Sequence, residues 1–398
     1  MLTVTEAMNE IRKLATVVAE TEDITVSESL DRILSCDIIS PVNVPPNSNS
    51  AMDGYAFCHE EALNKQFCLP ISQRIAPGMC PKPLLKNSVA RIFTGGEIPP
   101  NADTVVAQEH CVRTNNEVAI CENTLKGSNI RPLGQDVKLG CRVLVKGKLV
   151  RPQEIGLLAS MGITKVRVFR PLKVAIISTG DELAETNAVL EKGSLYNSNL
   201  PMLKALLKDI NAVPYDLGNI KDKKELIKNA LLQGVRECDV IITTGGMSVG
   251  EEDHLKEVIR SLGTINFWKV LIKPGKPIAF GNIQGTPVVG LPGNPGSVFV
   301  TFHVLVKPFL LKSQGRNAIQ PLVLRARANF SRAGEKREVY HRASTNISNN
   351  TVSLLTNQSS GVLSTVCRGN VFVRQRIGET INNEDLVDVL PYQWETSD

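Results

Sequence analysis

The spacing of hydrophobic positions changes character along the chain, and each change marks a unit. In the first forty residues Ala7, Ile11, Leu14 and Val18 fall on one helical stripe, and Ser27 to Leu34 suggests a second helix with Ser27 as its cap. PVNVPPNSNS then breaks the pattern. From Ala51 to Gly140 short alternating runs such as RIFTGG, ADTVVAQE and EVAICEN, continued by RVLVKG just beyond, predict a β-rich insert. RPQEIGLLASMGI sets Pro152 in a first helical turn and Gly162 just past the last. Strands and helices alternate from there: VAIISTGDEL, SNLPMLKALLKDI, AVPYDLG, DKKELIKNALLQGV, CDVIITTGG and EEDHLKEVIRSLG. That alternation predicts an α/β layer with a largely parallel sheet. A hairpin turned at Gln284 and Gly285 and a long apolar helix through Leu311 follow. After Gly315 short strands return, at Leu322 to Ala328, Val371 to Gln375 and Leu386 to Leu390, and predict a small β-barrel or sandwich. The expected units are a helical linking region (1–50 and 141–170), the insert (51–140), the α/β domain (171–315) and the terminal β-domain (316–398).

Composition narrows the function classes. The 398 residues are 42% hydrophobic and 21% charged, as in ordinary globular proteins. Basic residues number 45 against 40 acidic ones, with no long run of one sign, so nucleic-acid binding gains no support. No apolar stretch reaches membrane-spanning length and the opening residues do not resemble a signal peptide, so a cytoplasmic location is expected. Nine scattered cysteines without a CxxC pair suggest neither a disulfide framework nor a zinc site. The five histidines pair with no candidate nucleophile.

Chemistry is expected where parallel strands end, because loops and helix N-termini converge there. STGDEL, TTGGMSVG and LPGNPGS each follow an apolar strand, and each combines glycine with Ser, Thr or Asn, which lets backbone N–H groups approach a phosphate. The same edge carries Asp181, Glu182, Asp222, Glu251, Glu252 and Asp253. Carboxylates beside a phosphate loop make electrostatic sense with a divalent cation between them. Glu251 to Asp253 equally suit a helix start, where acids complement the dipole. KPGKP sets Lys273 and Lys276 three residues apart in a Pro-Gly-Pro frame, suited to a small oxyanion or to a solvated basic turn. In the insert SAMDGYA, FTGGEIP and RPLGQD read as turns that also carry Asp53, Thr94 and Asp136.

In this order and spacing, SAMDGYA, FTGGEIP, STGDEL, TTGGMSVGEEDH, KPGKP and LPGNPGS resemble the molybdopterin molybdenumtransferase family, MoeA, related to the E domain of gephyrin. The resemblance covers essentially the whole chain. It implies a three-layer molybdopterin-binding α/β domain with the β-rich insert, the helical linking region and the small terminal β-domain. It further implies insertion of molybdate into adenylylated molybdopterin, with Mg²⁺-dependent cleavage of the pyrophosphate link and release of AMP. Asp53, Thr94, Asp136 and Glu182 would be catalytic, and Asp222 and Asp253 would hold Mg²⁺. Lys273, Lys276, Ser297, Arg342 and Ser360 would form the molybdate pocket, and Gly245, Gly246 and Ser248 would line the pterin nucleotide.

Members of the family resemble elongated homodimers whose active site lies between the α/β domain of one subunit and the insert of the other. Transient contact with the molybdopterin adenylyltransferase and with downstream cofactor-handling proteins is implied as well. Some positions depart from the family pattern, among them Pro132, Gln135, Glu97 and Gly296, the last expected to loosen a helix start. Two other classes stay open on the residues: a non-catalytic pterin-binding or protein-binding scaffold, and a Mg²⁺-dependent nucleotide pyrophosphatase.

Overall fold

A computed structural model describes residues 1–18, 20–121, 124–246, 254–346 and 348–393. Its centre is a six-stranded sheet of β1 (Lys173–Thr179), β2 (Val213–Ile220), β3 (Val240–Thr244), β4 (Gly263–Trp268), β5 (Ala279–Ile283) and β6 (Thr286–Leu291), ordered β2-β1-β3-β6-β5-β4. β2, β1, β3 and β6 are parallel, and β5 and β4 add antiparallel. Alternate side chains divide between two cores. Val174, Ile176, Ile242 and Val289 pack under the helices Asn199–Asp209 and Pro295–Thr301, whereas Ala175, Ile177, Ile241 and Val288 pack under Lys224–Glu237 and His254–Leu262. Helices on both faces explain why these strands read as continuous apolar runs. The β5–β6 hairpin turns at Gln284 and Gly285, as its pattern predicts. Both take the positive φ a two-residue turn requires, +50° and +93°.

The N-terminal region corrects two expectations. Its helix, Val4–Leu14, is fixed by a reciprocal Thr3–Glu6 capping box and buries Val4, Ala7 and Ile11 in the first of those cores. It therefore packs on the three-layer domain, since its apolar stripe matches the helical segment 295–313. Ser27 to Leu34 is not an α-helix. Val26–Glu28 makes one 3-10 turn, and the backbone then bonds across the chain, Asp31 N to Val150 O at 2.8 Å and Leu34 N to Lys148 O at 3.0 Å. The linking region is thus held largely by strand pairs, Thr21–Thr25 with Lys165–Phe169 and Ile38–Ile39 with Arg142–Leu144. RVLVKG belongs to these pairs. Pro152–Ser160 is helical as expected, with Pro152 in its first turn and Gly162 at φ +72° beyond its end.

The insert is a six-stranded sheet that includes Gly54–Phe57, Val89–Ile92 and Thr104–Ala107. The C-terminal strands β7 (Leu324–Ala328), β8 (Glu338–Asn346), β9 (Thr351–Leu354), β10 (Val371–Gln375) and β11 (Leu386–Pro391) close into a five-stranded barrel, because β8 pairs with both β9 and β10. Its interior is narrow and filled by small residues, among them Ala326, Ala328, Ala343, Val373 and Val389. The long apolar helix is broken midway: Phe302–Val306 forms a π-helical turn before Lys307–Ser313. Pro308 offers no backbone N–H there, which disfavours a regular helix. The cysteines are free thiols. Among the described residues no helix is long and apolar enough to cross a membrane.

Candidate active site

The carboxyl ends of β1, β3 and β6 open onto a cleft of about 790 Å³. Its floor is glycine loop. Gly245 follows β3 at φ +86°, and a Cβ there would stand 2.1 Å from Thr179 O, so only glycine lets the two loops touch. A buried network holds these loops together. Asn199 Nδ2 donates to Thr244 Oγ1 at 2.9 Å and to Gly293 O at 2.7 Å, and Thr244 Oγ1 donates to Pro292 O at 3.0 Å.

The walls carry opposite charge. Glu182 and Asp222 line one side, and Asp222 N donates to Asp181 Oδ1 at 3.2 Å. Burial, then the charges of Asp181 and Glu182, raise the Asp222 carboxyl above its ordinary value. The other side is lined by Lys273, Lys276 and Arg337. Beneath it lies Arg342, 0% exposed, whose Nη2 donates to Ser359 O at 3.1 Å while Nε and Nη1 find no partner among the described residues. Burial lowers the pKa of that guanidinium. The loop it supports reaches the helix start at Asn294, where Asn294 Nδ2 donates to Ser360 Oγ at 2.9 Å and Gly296 N to Ser360 O at 2.9 Å. Gly296 is therefore a contact between domains: a Cβ there would stand 2.7 Å from Ser360 O. The loosening expected from the sequence gives way to close packing.

A second cavity of about 440 Å³ adjoins the first and shares Thr179, Glu182, Gly245, Gly293 and Asn294 with it. Leu195, Tyr196 and Asn197 line its far side. Together the two spaces suit an elongated ligand that passes Glu182.

The fold thus brings Glu182, Asp222, Gly245, Gly246, Lys273, Lys276, Ser297 and Ser360 to one cleft, with Arg342 just below. Asp53, Thr94 and Asp136 do not line it. On the insert, Asp53 Oδ1 accepts from Thr94 N and Thr94 Oγ1, both at 2.7 Å. Those bonds, the backbone one first, lower the Asp53 carboxyl below its ordinary value. Asp136 is exposed, with its N–H on Val44 O at 2.9 Å. Ser248, Glu251, Glu252 and Asp253 lie outside the described residues. Among the described residues no group of three acids, histidines or cysteines is arranged to hold a metal ion by itself.

Comparison with known proteins decides the family. Residues 2–162 match the MoeA N-terminal region (domain I and II), and residues 175–312 match the family described as "Probable molybdopterin binding domain". The molybdopterin molybdenumtransferase of Haemophilus influenzae is 39% identical over 79% of this chain and 78% of its own length. The chain belongs to the molybdopterin molybdenumtransferase family. A member from Nostoc sp. is 34% identical over 81% of this chain and 76% of its own. The crystal structure of the molybdopterin biosynthesis MoeA protein from Pyrococcus horikoshii OT3 superposes with a TM-score of 0.87 at 26% identity, covering 98% of this chain and 100% of the other. As a MoeA-family protein the chain is a transferase of molybdenum cofactor biosynthesis, with the family's multidomain fold.

Sequence reasoning missed Asn199, Arg337, Gln358 and Glu335. Gln358 holds Arg342 at its backbone, accepting from Arg342 N at 2.9 Å and donating to its O at 2.8 Å. Asn199 had a signal, a polar side chain in the first turn on the same face as the apolar Leu203 and Leu207. The others sit in barrel loops whose place beside the cleft depends on domain packing.

Proposed function

We propose that the protein inserts molybdate into adenylylated molybdopterin, cleaving the pyrophosphate link and releasing AMP. The observation that carries this reading is the two-signed cleft, in which a glycine floor separates Glu182 and Asp222 from Lys273, Lys276 and Arg337. A ligand that must place a pyrophosphate beside an oxyanion needs both walls. The lysines would hold the tetrahedral dianion, with Ser297 and Ser360 positioned to donate hydrogen bonds. The N–H groups of the Gly245–Gly246 loop would receive the nucleotide phosphates, and the adjoining cavity would take the pterin. Glu182, lining both spaces, would orient water or accept a proton.

The acidic wall fits Mg²⁺. Asp222 is a partly buried carboxylate whose charged form is disfavoured by Asp181 and Glu182, an arrangement that a cation relieves. Mg²⁺ needs only one or two protein carboxylates when phosphates supply the rest. Asp222 would hold it, with Asp253 as the sequence implies, and when bound it neutralises pyrophosphate charge.

A second copy completes this reading. Asp53, Thr94 and Asp136 are absent from the lining of the chain's own cleft, and a homodimer would bring one insert to the other's cleft. A cytoplasmic location and hand-over from the molybdopterin adenylyltransferase, then to downstream cofactor-handling proteins, accord with the same reading. Reconstitution with adenylylated molybdopterin, Mg²⁺ and molybdate tests it. AMP and finished cofactor are expected together, whereas AMP without cofactor would favour a nucleotide pyrophosphatase.

A further inference from the structure

The barrel joins the three-layer domain at Ile272–Lys273, which pairs in parallel with Glu338 and Val339. That join is already secured by backbone: Glu338 N donates to Leu271 O at 2.9 Å. Just ahead of β8, Glu335 accepts a hydrogen bond from Lys273 Nζ, a group of the cleft lining, at 2.7 Å. The ammonium holds the Glu335 carboxyl below its ordinary value. Among the described residues Lys276, Arg337 and Arg342 make no ion pair, so Lys273 is the cation here in direct contact with a carboxylate, and the Arg337 charge acts on Glu335 more weakly from farther off.

We propose that Glu335 is a displaceable counter-ion, occupying Lys273 while the oxyanion pocket is empty and giving it up when molybdate binds. The proposal rests on the assignment of this wall to the oxyanion. Both side chains are partly exposed, 44% for Lys273 and 38% for Glu335. An ion pair so open to water is weak. A dianion that also meets Lys276 and Arg337 can therefore displace it. The Glu335 backbone need not move, because its carbonyl is held by Gly378 N at 2.9 Å. Only the side chain swings out. The consequence is a pocket whose affinity is set below what its cations alone would give, so that weakly held anions do not occupy it.

Calorimetric titration of molybdate into the full-length protein at fixed ionic strength tests this, with a melting curve for each variant. Glu335→Gln is expected to bind roughly fivefold more tightly, the upper range for losing an exposed pair. Lys273→Ala is expected to bind more weakly, and Glu335→Gln added to it should bring no gain, because the effect acts through Lys273. Unchanged or weaker binding by Glu335→Gln, with a lower melting temperature, would make the pair a domain clamp and overturn the proposal. So would a gain that persists without Lys273. If Lys273→Ala weakens binding while Glu335→Gln does not tighten it, the proposal falls and the oxyanion pocket stands. If wild type and every variant fail to bind molybdate, both fall.

Discussion

Asp53 on the insert and Asp222 in the cleft are both carboxylates that the proposed function assigns to the same chemistry, and their surroundings push them in opposite directions. Asp53 receives two hydrogen bonds from Thr94 and is held ionised. Asp222 is partly buried, faces Asp181 and Glu182, and resists ionisation. The insert thus presents an anion already satisfied by protein, with a fixed direction. In the cleft Asp222 makes no ion pair among the described residues, as in a site whose ligand brings the counter-charge.

The strongest way to break this contrast is to remove the unsatisfied charges. Glu182→Gln and Asp222→Asn are each expected to slow AMP release by roughly a hundred- to a thousandfold, measured in single-turnover assays. Asp222→Asn should also melt slightly higher at neutral pH, by roughly one or two degrees. The sign follows from the raised pKa. The folded state pays for ionising Asp222 only above the ordinary value of 3.8, so the advantage should vanish near pH 3. A lower melting temperature at pH 7 would remove Asp222 from the role of an uncompensated charge.

Asp53→Asn is expected to slow turnover by roughly ten- to a hundredfold while lowering the melting temperature, the reverse stability sign to Asp222. Thr94→Val should follow it and Thr94→Ser should stay near wild type, since the hydroxyl bond is kept. Equal effects of the two threonine variants would show that the hydroxyl plays no part.

Mixing asks whether the two regions meet in one site. Asp53→Ala and Glu182→Ala proteins, each strongly impaired, should regain roughly a quarter of wild-type activity after subunit exchange, because in the proposed homodimer half the dimers would be mixed and each would have one intact site of two. No recovery despite demonstrated exchange would place both residues in the same subunit's site. The smallest effect concerns the packing between domains. Gly296→Ala should cost about 1–3 kcal/mol by denaturant unfolding, since its Cβ would press on Ser360 O. A neutral result would show that the loop yields freely.

Much of the α/β domain was legible because its signals are local. Strand runs, the Gln284–Gly285 turn and the glycine loops each declare themselves within a few residues, and motif order carried the family. The N-terminal region misled for a complementary reason. Ser27 to Leu34 has the composition of a helix, yet its backbone bonds are taken by residues 148–150, far away in the chain. Likewise, spacing says nothing of Glu335, which acquires meaning only when β8 is laid beside Lys273.

By itself, then, the sequence determined the family, the α/β alternation and the residue types at the strand ends, since periodicity and loop chemistry are properties of contiguous residues. Tertiary structure alone decided which charges share a wall, which of them are neutralised, and that Asp53 and Asp222 carry opposite electrostatic burdens. The physical reason is that burial and Coulomb interaction depend on distance through space: residues 182 and 222 become neighbours only when the strands before them pair, and 273 and 335 only when the barrel packs on the α/β domain.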